Sequence, residues 1–245
     1  MIIDIKAFIS AVIEANRELY AKIERGFDVA LCQKYEIGAG GDVSREVDIM
    51  AEKIFIKHLS SFGKIYSEES GEIGEGAYHI ILDPIDGSDN FLSQIPYFGA
   101  SIALEFEEEV LVGIISNFAN GDIFVKTKEQ FQVAKLDSII FKDEVINPCS
   151  SVGIFERAYR SQNYAKKLYD AQIKYRIPGA SALSLAYAHR VDFVIFEGPM
   201  RDYDSKAGLF MCENLYKYEY NDLILICKDL KQFQDLKNIL LGERS

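Results

Sequence analysis

The sequence predicts an α+β fold, and three patterns support this prediction. The N-terminal part contains two stretches with the period of amphipathic helices, the middle contains apolar runs typical of strands, and the second half alternates short strands with helices. The chain has 245 residues, of which 49% are hydrophobic, so it is long enough to bury one large core or two closely packed lobes. No internal repeat or low-complexity linker is visible.

Two helices are predicted near the N-terminus. Residues 4–24 place apolar side chains such as Phe8 and Leu19 at mostly helical spacing, with charged residues between them. Residues 44–59 show the same period and place Asp48 near the N-terminal end of the helix. We expect both helices to pack an apolar face against the core.

A group of strands is predicted next. Residues 79–82 form a short apolar run, which we expect to end before Pro84 because proline has no N–H group for a continued ladder. The three glutamates at residues 107–109 are expected to form a solvated turn. Three further runs predict an antiparallel sheet: residues 101–106, 110–116 and 122–125.

The second half has an α/β pattern. Residues 161–170 and 181–189 have helical spacing, whereas residues 173–177 and 191–196 are predicted to be extended. The small and hydroxyl residues 179–181 stand at the start of the second of these helices, where such residues are ordinary caps.

The charge and the termini exclude some function classes. The formal net charge of −11 argues against sequence-independent binding to nucleic acid or to an anionic membrane, and we expect neither as a partner. The N-terminus has no basic region followed by a sustained apolar stretch, and no window approaches membrane-spanning length, so a cytoplasmic location is expected. The four cysteines are far apart and are expected to be reduced, buried thiols: Cys32, Cys149, Cys212 and Cys227.

The segment with the clearest chemistry is residues 83–91, which read DPIDGSDNF. Asp83 and Asp86 lie three residues apart around a turn, so both can face one point, and their hard oxygen atoms suit Mg²⁺, Mn²⁺ or Ca²⁺ rather than zinc. Gly87 permits close backbone approach, and free N–H groups near Ser88 form an anion site if a helical turn follows. Metal and phosphate are therefore expected to meet here.

Two other interpretations of this segment are open from the residues alone. Asp, Pro, Gly, Ser and Asn are the ordinary turn residues, so a solvated acidic turn needs no function. An EF-hand loop fits less well, because its sixth position requires glycine, and the sixth residue from Asp83 is Ser88.

Residues 83–91 resemble the signature of the inositol monophosphatase family, in which aspartate, proline, isoleucine, aspartate and glycine precede threonine or serine, any residue, asparagine and phenylalanine. The match is complete. Three other segments resemble further landmarks of the family in the same order: residues 42–48, 67–70 and 203–208.

The resemblance implies a role for each matching residue. The metal ligands would be Glu68, Asp83, the carbonyl of Ile85, Asp86 and Asp204. The catalytic residues that orient and deprotonate the attacking water would be Asp48 and Ser88. The substrate contacts would be Gly87, Ser88, Gly179, Ser181 and Glu197.

The resemblance also implies the fold, the reaction and the partners. The fold would be the layered αβαβα sandwich of the inositol monophosphatase and fructose-1,6-bisphosphatase type. The activity would be hydrolysis of the phosphate monoester of a small polyol or sugar, inositol monophosphate first, by in-line attack of a metal-bound water, with two to three Mg²⁺ ions per site. A homodimer is implied as well.

Two lobes are expected. The pattern loses its helical period between residues 137 and 148, so we place an N-terminal α+β lobe at residues 1–140 and a C-terminal α/β lobe at residues 141–245. The first would carry most metal ligands, and the second would carry the last metal ligand and the substrate contacts.

Some features depart from the family pattern. Tyr203 stands where tryptophan is usual, Lys206 replaces a small residue and could weaken metal binding or engage a phosphate, and residues 126–130 replace a glycine-rich hairpin. Arg176 and Arg201 are expected to be solvated surface residues. The alternatives to the leading function are a fructose-1,6-bisphosphatase, a phosphatase for 3′-phosphoadenosine 5′-phosphate or histidinol phosphate, and a non-catalytic metal-binding regulatory protein of the same fold.

Overall fold

A computed structural model describes residues 3–24 and 28–242 of the chain. Within these residues the helices are α1 Ile5–Ile23, α2 Glu46–Leu59, α3 Ser88–Leu92, α4 Gln162–Asp170, α5 Ser181–Ala186, α6 Asp202–Met211 and α7 Leu230–Leu241. The first strands are β1 Lys34–Ile37, β2 Val43–Arg45, β3 Lys64–Ser67, β4 Gly71–Ile73, β5 His79–Asp86, β6 Gly99–Phe106, β7 Glu109–Asn117 and β8 Asp122–Thr127. The remaining strands are β9 Phe131–Lys135, β10 Lys142–Asp143, β11 Gly153–Phe155, β12 Tyr175–Arg176, β13 Phe193–Glu197, β14 Tyr216–Tyr220 and β15 Leu223–Cys227.

Two mixed sheets form the frame of the fold. The larger sheet has the strand order β10-β9-β8-β7-β6-β5-β3-β4, and the smaller has the order β12-β11-β13-β15-β14. Most neighbours are antiparallel, but β3 and β5 are parallel, and β11 is parallel to both β12 and β13. The larger sheet draws its strands from residues 64–143 and the smaller from residues 153–227, and the division into two lobes near residue 140 stays a prediction.

Four apolar clusters show that the layers are stacked helix, sheet, helix, sheet, helix. Helices α1 and α2 cover one face of the larger sheet, and α5 and α6 cover its other face. Helix α5 also packs on the smaller sheet, where Leu185 contacts the cluster that includes Val194 and Ile226. Helices α4 and α7 cover the outer face of the smaller sheet. The predicted αβαβα sandwich is therefore confirmed.

The predicted N-terminal helices are confirmed, with one change at a boundary. Asp4 caps α1 by accepting a hydrogen bond from the backbone N–H of Ala7 at 3.0 Å. Helix α2 begins at Glu46 rather than at Ser44, because Val43–Arg45 pairs with β1 as a strand. The carboxylate of Asp48 accepts a hydrogen bond from the N–H of Arg45 at 2.8 Å and so caps the start of this helix.

The expected end of the strand before Pro84 is wrong. Strand β5 continues through the proline to Asp86, and its register against β6 shifts between Asp83 and Asp86. A bulge is one of the places where a sheet tolerates proline, because the missing N–H is not needed for pairing there. The other predicted central strands are confirmed, and Glu107 and Glu108 turn between β6 and β7 with positive φ values.

The cysteine prediction is only partly correct. All four cysteines are free, and Cys212 and Cys227 are buried, but Cys149 is exposed and Cys32 is half-buried. Across residues 3–24 and 28–242, none of the helices combines the length and the apolar character needed to cross a bilayer.

Candidate active site

All but one of the predicted site residues meet in a cleft of about 680 Å³ at the end of β5. The end of β5, the start of α3 and the starts of α5 and α6 all open into this cleft. Among the predicted residues, its lining includes Asp48, Glu68, Asp83, Ile85, Asp86, Gly87, Ser88, Gly179, Ser181 and Asp204. The structure therefore brings together residues from both halves of the chain.

Three buried carboxylates form the centre of the cleft. One oxygen atom from each of Asp83, Asp86 and Asp204 lies within 4.8 Å of the other two. Residues three apart in a regular strand point to opposite faces of the sheet, so the irregular register of β5 is what allows Asp83 and Asp86 to face the same point. Asp204 reaches them from the first turn of α6.

The donor set of this acidic cluster fits a hard divalent cation. Burial and the neighbouring carboxylates raise the pKa values of Asp83 and Asp86 well above the ordinary range. Backbone N–H groups offset part of this cost: Ile85 donates to Asp83 at 3.0 Å, and Leu183 donates to Asp86 at 2.8 Å. A cation bound between the oxygen atoms would stabilise their ionised forms, and clustered carboxylate oxygens are the ligands that Mg²⁺, Mn²⁺ and Ca²⁺ prefer.

Glu68 extends the cluster next to the end of β3. Burial raises the pKa of Glu68 to about 7, the nearby Arg201 guanidinium opposes the rise, and the Asp204 carboxylate adds to it. Arg201 lies 2.8 Å from Glu68 and 3.0 Å from Asp204, measured from guanidinium nitrogen to carboxylate oxygen. The expectation that Arg201 is a solvated surface residue is therefore wrong, whereas Arg176 is exposed as predicted.

Asp48 lies on the wall of the cleft contributed by α2. Its side chain is buried, and burial raises the pKa of Asp48 to about 7, against the effect of the hydrogen bond from the Arg45 backbone. Beside it, the hydroxyl of Ser44 donates a hydrogen bond to the carboxylate of Glu69. A carboxylate with this pKa can accept a proton near neutral pH.

The turn after β5 requires glycine. Gly87 has a φ of +83°, and a Cβ atom there would lie 3.0 Å from the Cβ of Ala180 and 3.1 Å from the carbonyl oxygen of Tyr97. Helix α3 follows directly at Ser88, so the helical turn that the sequence required is present. Asn90 fixes this turn by donating hydrogen bonds of 2.7 Å each to the carbonyls of Tyr97 and Pro178.

Glu156 is a site residue that the sequence reasoning missed. Its carboxylate is only 2% exposed and accepts hydrogen bonds from the Gly179 N–H at 3.1 Å and the Ser184 hydroxyl at 2.5 Å. It thereby positions the Gly179 and Ser181 segment at the cleft. The signal in the sequence was an acidic residue directly after the apolar run of β11, similar to Glu197, which follows the apolar residues of β13.

Glu197 lies beside the main cleft rather than in its lining. It is exposed at the end of β13, in a small recess that also contains Glu156, Arg157, Ser181 and Asp204. The recess and the main cleft share these four residues, so the two form neighbouring parts of one concave surface.

Lys206 points away from the carboxylate cluster. Its ammonium group pairs with the buried carboxylate of Glu105 and lies 3.6 Å from Asp202. Tyr203 packs against the apolar cluster between the larger sheet and α5 and α6, as expected for an aromatic residue at this position. The unusual lysine is therefore part of the contact between α6 and β6 and not of the cleft.

Comparison with known proteins decides the family. A sequence profile described as the inositol monophosphatase family matches residues 4–215. The chain belongs to this family. The recognition made from the motifs is thus confirmed.

Two individual relatives match shorter stretches of the chain than the family profile does. An inositol-1-monophosphatase of Mesorhizobium japonicum is 30% identical over 123 residues, covering 48% of this chain and 46% of the relative. A fructose-1,6-bisphosphatase/inositol-1-monophosphatase of Methanothermobacter thermautotrophicus is 29% identical over 170 residues, covering 62% of this chain and 60% of the relative. The match thus spans less than two thirds of either relative.

A solved structure of similar size shows that the fold is shared throughout. The extragenic suppressor protein SuhB of Bartonella henselae superposes with a TM-score of 0.76 at 24% identity, covering 98% of both chains. At this level of identity the likeness concerns the fold alone, and it confirms the architecture described above.

Proposed function

We propose that the protein is a phosphoric monoester hydrolase that depends on a divalent metal ion, Mg²⁺ first, and acts on a small polyol or sugar phosphate. The observation that carries the proposal is the convergence of Asp83, Asp86 and Asp204 within 4.8 Å, directly beside the glycine turn that opens α3. This arrangement offers a cation site and a phosphate site next to each other. Family membership supports the same reaction.

The chain's oxygen atoms suggest how the metal ions would be held. Asp83, Asp86 and Asp204 would bind one ion, and Glu68, Asp83 and the carbonyl of Ile85 would bind a second, because all of these groups line one cleft. Divalent cations bound there would lower the pKa of water and stabilise the charge that develops during phosphoryl transfer. Hydrolysis needs no covalent nucleophile, because phosphoryl transfer is catalysed mainly by positioning and charge stabilisation.

Asp48 and Ser88 are the residues that we assign to the attacking water. The carboxylate of Asp48 is buried in the cleft wall, and its raised pKa, about 7, suits a group that accepts a proton from water at neutral pH. Ser88 lines the same cleft at the start of α3, where its hydroxyl would orient the same water. The Gly87 turn allows the phosphate oxygens to approach the backbone closely.

The alcohol end of the substrate would contact the C-terminal half of the chain. Gly179, Ser181 and Glu197 lie on the concave surface on that side, and their polar groups suit a polyol such as inositol. We therefore put inositol monophosphate first among the substrates.

The residues at the rim of the cleft favour a second candidate function. Arg157, Tyr159 and Arg160 line it, and the Arg160 guanidinium lies 5.7 Å from the centre of the Tyr159 ring. Arginines at this place suit a substrate with a second anionic group, such as fructose-1,6-bisphosphate or 3′-phosphoadenosine 5′-phosphate. The Methanothermobacter thermautotrophicus relative is named for both a bisphosphatase and a monophosphatase activity.

Phosphate release from a substrate panel tests the proposal. The panel contains inositol 1-phosphate, fructose-1,6-bisphosphate, 3′-phosphoadenosine 5′-phosphate and histidinol phosphate, each assayed with Mg²⁺ and with a chelator. We expect release that requires Mg²⁺ and a clear preference for one ester. If well-folded protein binds Mg²⁺ but releases no phosphate from any ester, the non-catalytic alternative is favoured instead.

A matched pair of variants links the activity to the cluster. Asp204→Asn removes one buried carboxylate, whereas Asp202→Asn removes an exposed carboxylate from the same helical turn. Only the first should lose most of its activity.

Size-exclusion measurements on the same samples test the homodimer, which we propose from family resemblance.

A further inference from the structure

Arg201 occupies an unusual place for a positively charged residue in a proposed metal site. Its Nη2 atom lies 2.8 Å from a Glu68 oxygen, and its Nε atom lies 3.0 Å from an Asp204 oxygen. Its Nη1 atom donates to the Gly40 carbonyl at 2.9 Å and lies 3.0 Å from Asp42. The planar guanidinium therefore binds two of the expected metal ligands and one loop at the same time.

We propose that Arg201 is a resident counter-cation of the carboxylate cluster and competes with the divalent metal ion for Glu68 and Asp204. The inference rests on the metal-binding part of the proposed function. A guanidinium and a divalent cation that contact the same two carboxylates repel each other, and the burial of Glu68 and Asp204 limits the water that screens this repulsion. We therefore expect metal binding to release Arg201 from Glu68, from Asp204 or from both.

The other arginines of the cleft do not occupy the cluster in this way. Arg157 approaches Asp204 only to 3.9 Å, and its side chain is 40% exposed. Arg160 lies against the ring of Tyr159 at the rim. Arg201 is thus distinguished from both by direct contacts with two cluster carboxylates.

The loop at Gly40 can hold the Arg201 guanidinium after it leaves the carboxylates. A Cβ atom at Gly40 would lie 2.5 Å from Cγ of Glu68 and 3.1 Å from Nη1 of Arg201, so only glycine allows the backbone to approach this closely. The carboxylate of Asp42 is largely exposed and already contacts the guanidinium. Arg201 can therefore leave the cluster while it keeps its contacts with Gly40 and Asp42.

Calorimetric titration of the chain with Mg²⁺ tests the competition. Arg201→Gln should bind Mg²⁺ at least about tenfold more tightly than the wild type. The loss of one hydrogen bond between charged groups corresponds to a factor of this size, and in the variant Mg²⁺ no longer has to break the contacts of Arg201. The same variant should unfold at a lower temperature without metal, since the cluster loses its internal cation. Mg²⁺ should remove most of this difference.

Arg157→Gln is the matched control. It removes a positive charge near Asp204 but breaks no short contact with the cluster, so its gain in Mg²⁺ affinity should be clearly smaller. Equal gains in the two variants would mean that Arg201 affects Mg²⁺ only through the long-range repulsion of its positive charge. Weaker Mg²⁺ binding by Arg201→Gln would mean that Arg201 holds the metal ligands in place. Either result overturns the competition. A wild type that binds no Mg²⁺ would instead contradict the proposed function.

The inference stays testable if Arg201→Gln does not fold. Arg201→Lys keeps the charge but cannot bridge both carboxylates, so its Mg²⁺ affinity should lie between those of the wild type and a neutral variant. In the wild type itself, the Nε–H resonance of Arg201 should shift as Mg²⁺ is added if the contact with Asp204 is lost, and the Nη–H resonances should shift if the contact with Glu68 is lost. Unchanged Nε–H and Nη–H resonances in the Mg²⁺-saturated protein would overturn the proposal.

Discussion

At Asp86, one carboxylate serves both the fold and the proposed chemistry. It accepts a hydrogen bond from the Leu183 N–H at the start of α5 and faces Asp83 and Asp204. The amide oxygen of asparagine can accept the same hydrogen bond, but asparagine brings no negative charge to the cation site. The two roles of Asp86 can therefore be separated by one substitution.

Asp86→Asn should lower phosphatase activity about 100-fold or more, because a bound metal ion contributes several kcal/mol to the stabilisation of transition-state charge. The metal-free variant should also be more stable than the metal-free wild type, since one of several repelling buried carboxylates has been removed. Phosphate release and thermal unfolding without metal measure the two effects. Full activity in the variant would contradict the assignment of Asp86 as a ligand.

Gly87 and Gly242 share a left-handed backbone but differ in their surroundings. Their φ values are +83° and +74°, and among the residues that the structure describes a Cβ atom would meet close neighbours only at Gly87. We expect Gly242→Ala to cost about 1 kcal/mol from the backbone conformation alone. Gly87→Ala should cost about 3 kcal/mol, because a steric clash is added. Urea unfolding measures both, and equal costs would show that the turn before α3 can relax.

At the scale of single elements, α6 carries one residue for the site and another for packing. Asp204 faces the carboxylate cluster, whereas Lys206 pairs with Glu105 on β6. Gly208 lies against α5, where a Cβ atom would come within 2.4 Å of the Leu185 side chain. The position of Asp204 therefore depends on how closely α6 packs against its neighbours.

Gly208→Ala should push α6 away from α5 and cost roughly 1–3 kcal/mol of stability, as overpacking of a core usually does. Because Asp204 lies one turn earlier on the same helix, Mg²⁺ affinity should fall as well. Urea unfolding and calorimetric titration are the two measurements. A variant that loses stability but binds Mg²⁺ as the wild type does would show that the cluster tolerates this shift.

Lys206→Ala should lower stability without changing Mg²⁺ affinity. Glu105 is 5% exposed and would lose its ion pair with Lys206, so stability should fall by roughly 1–2 kcal/mol. Mg²⁺ affinity should not change, because the ammonium group points away from the cluster. A several-fold change in Mg²⁺ affinity would mean that Lys206 does reach the metal site.

The sequence predicted the parts of the site that consist of local motifs. Residues 83–91 form one continuous segment, and Glu68 and Asp204 follow recognisable patterns, so their common cleft was foreseen. The contact of Arg201 with Glu68 and that of Glu156 with Gly179 were not, because each joins residues that are distant in the sequence. The same holds for Pro84, where pairing of β5 with β6 overrides the local preference of proline.

At the scale of the whole molecule, the fold concentrates negative charge in one cleft. Among the residues with a raised pKa are Asp48, Glu68, Asp83 and Asp86, and burial is the largest cause for each. The folded, metal-free protein therefore binds more protons than the unfolded chain between the ordinary pKa of these groups and the raised one. Stability must fall as the pH rises through this window.

We expect the metal-free protein to lose thermal stability progressively as the pH rises from about 5 to about 7, because burial raises the pKa values of Asp48 and Glu68 to about 7. The contributions of these two residues should level off above pH 7, where both are ionised in the folded and the unfolded state. His189 acts in the opposite direction below pH 6.5, because burial lowers its pKa, but it is one group against four. Glu18, whose pKa is lowered to about 2 by Lys57 and His58, affects only the acidic side.

Mg²⁺ should remove this loss. A cation that binds the ionised cluster in the folded state alone stabilises that state, and it does so most where the carboxylates are deprotonated. Differential scanning fluorimetry with Mg²⁺ and with a chelator, repeated across the pH range, should give two curves that separate as the pH rises. Parallel curves would mean that the ion binds elsewhere, since only binding at the titrating carboxylates makes the stabilisation depend on pH in this direction.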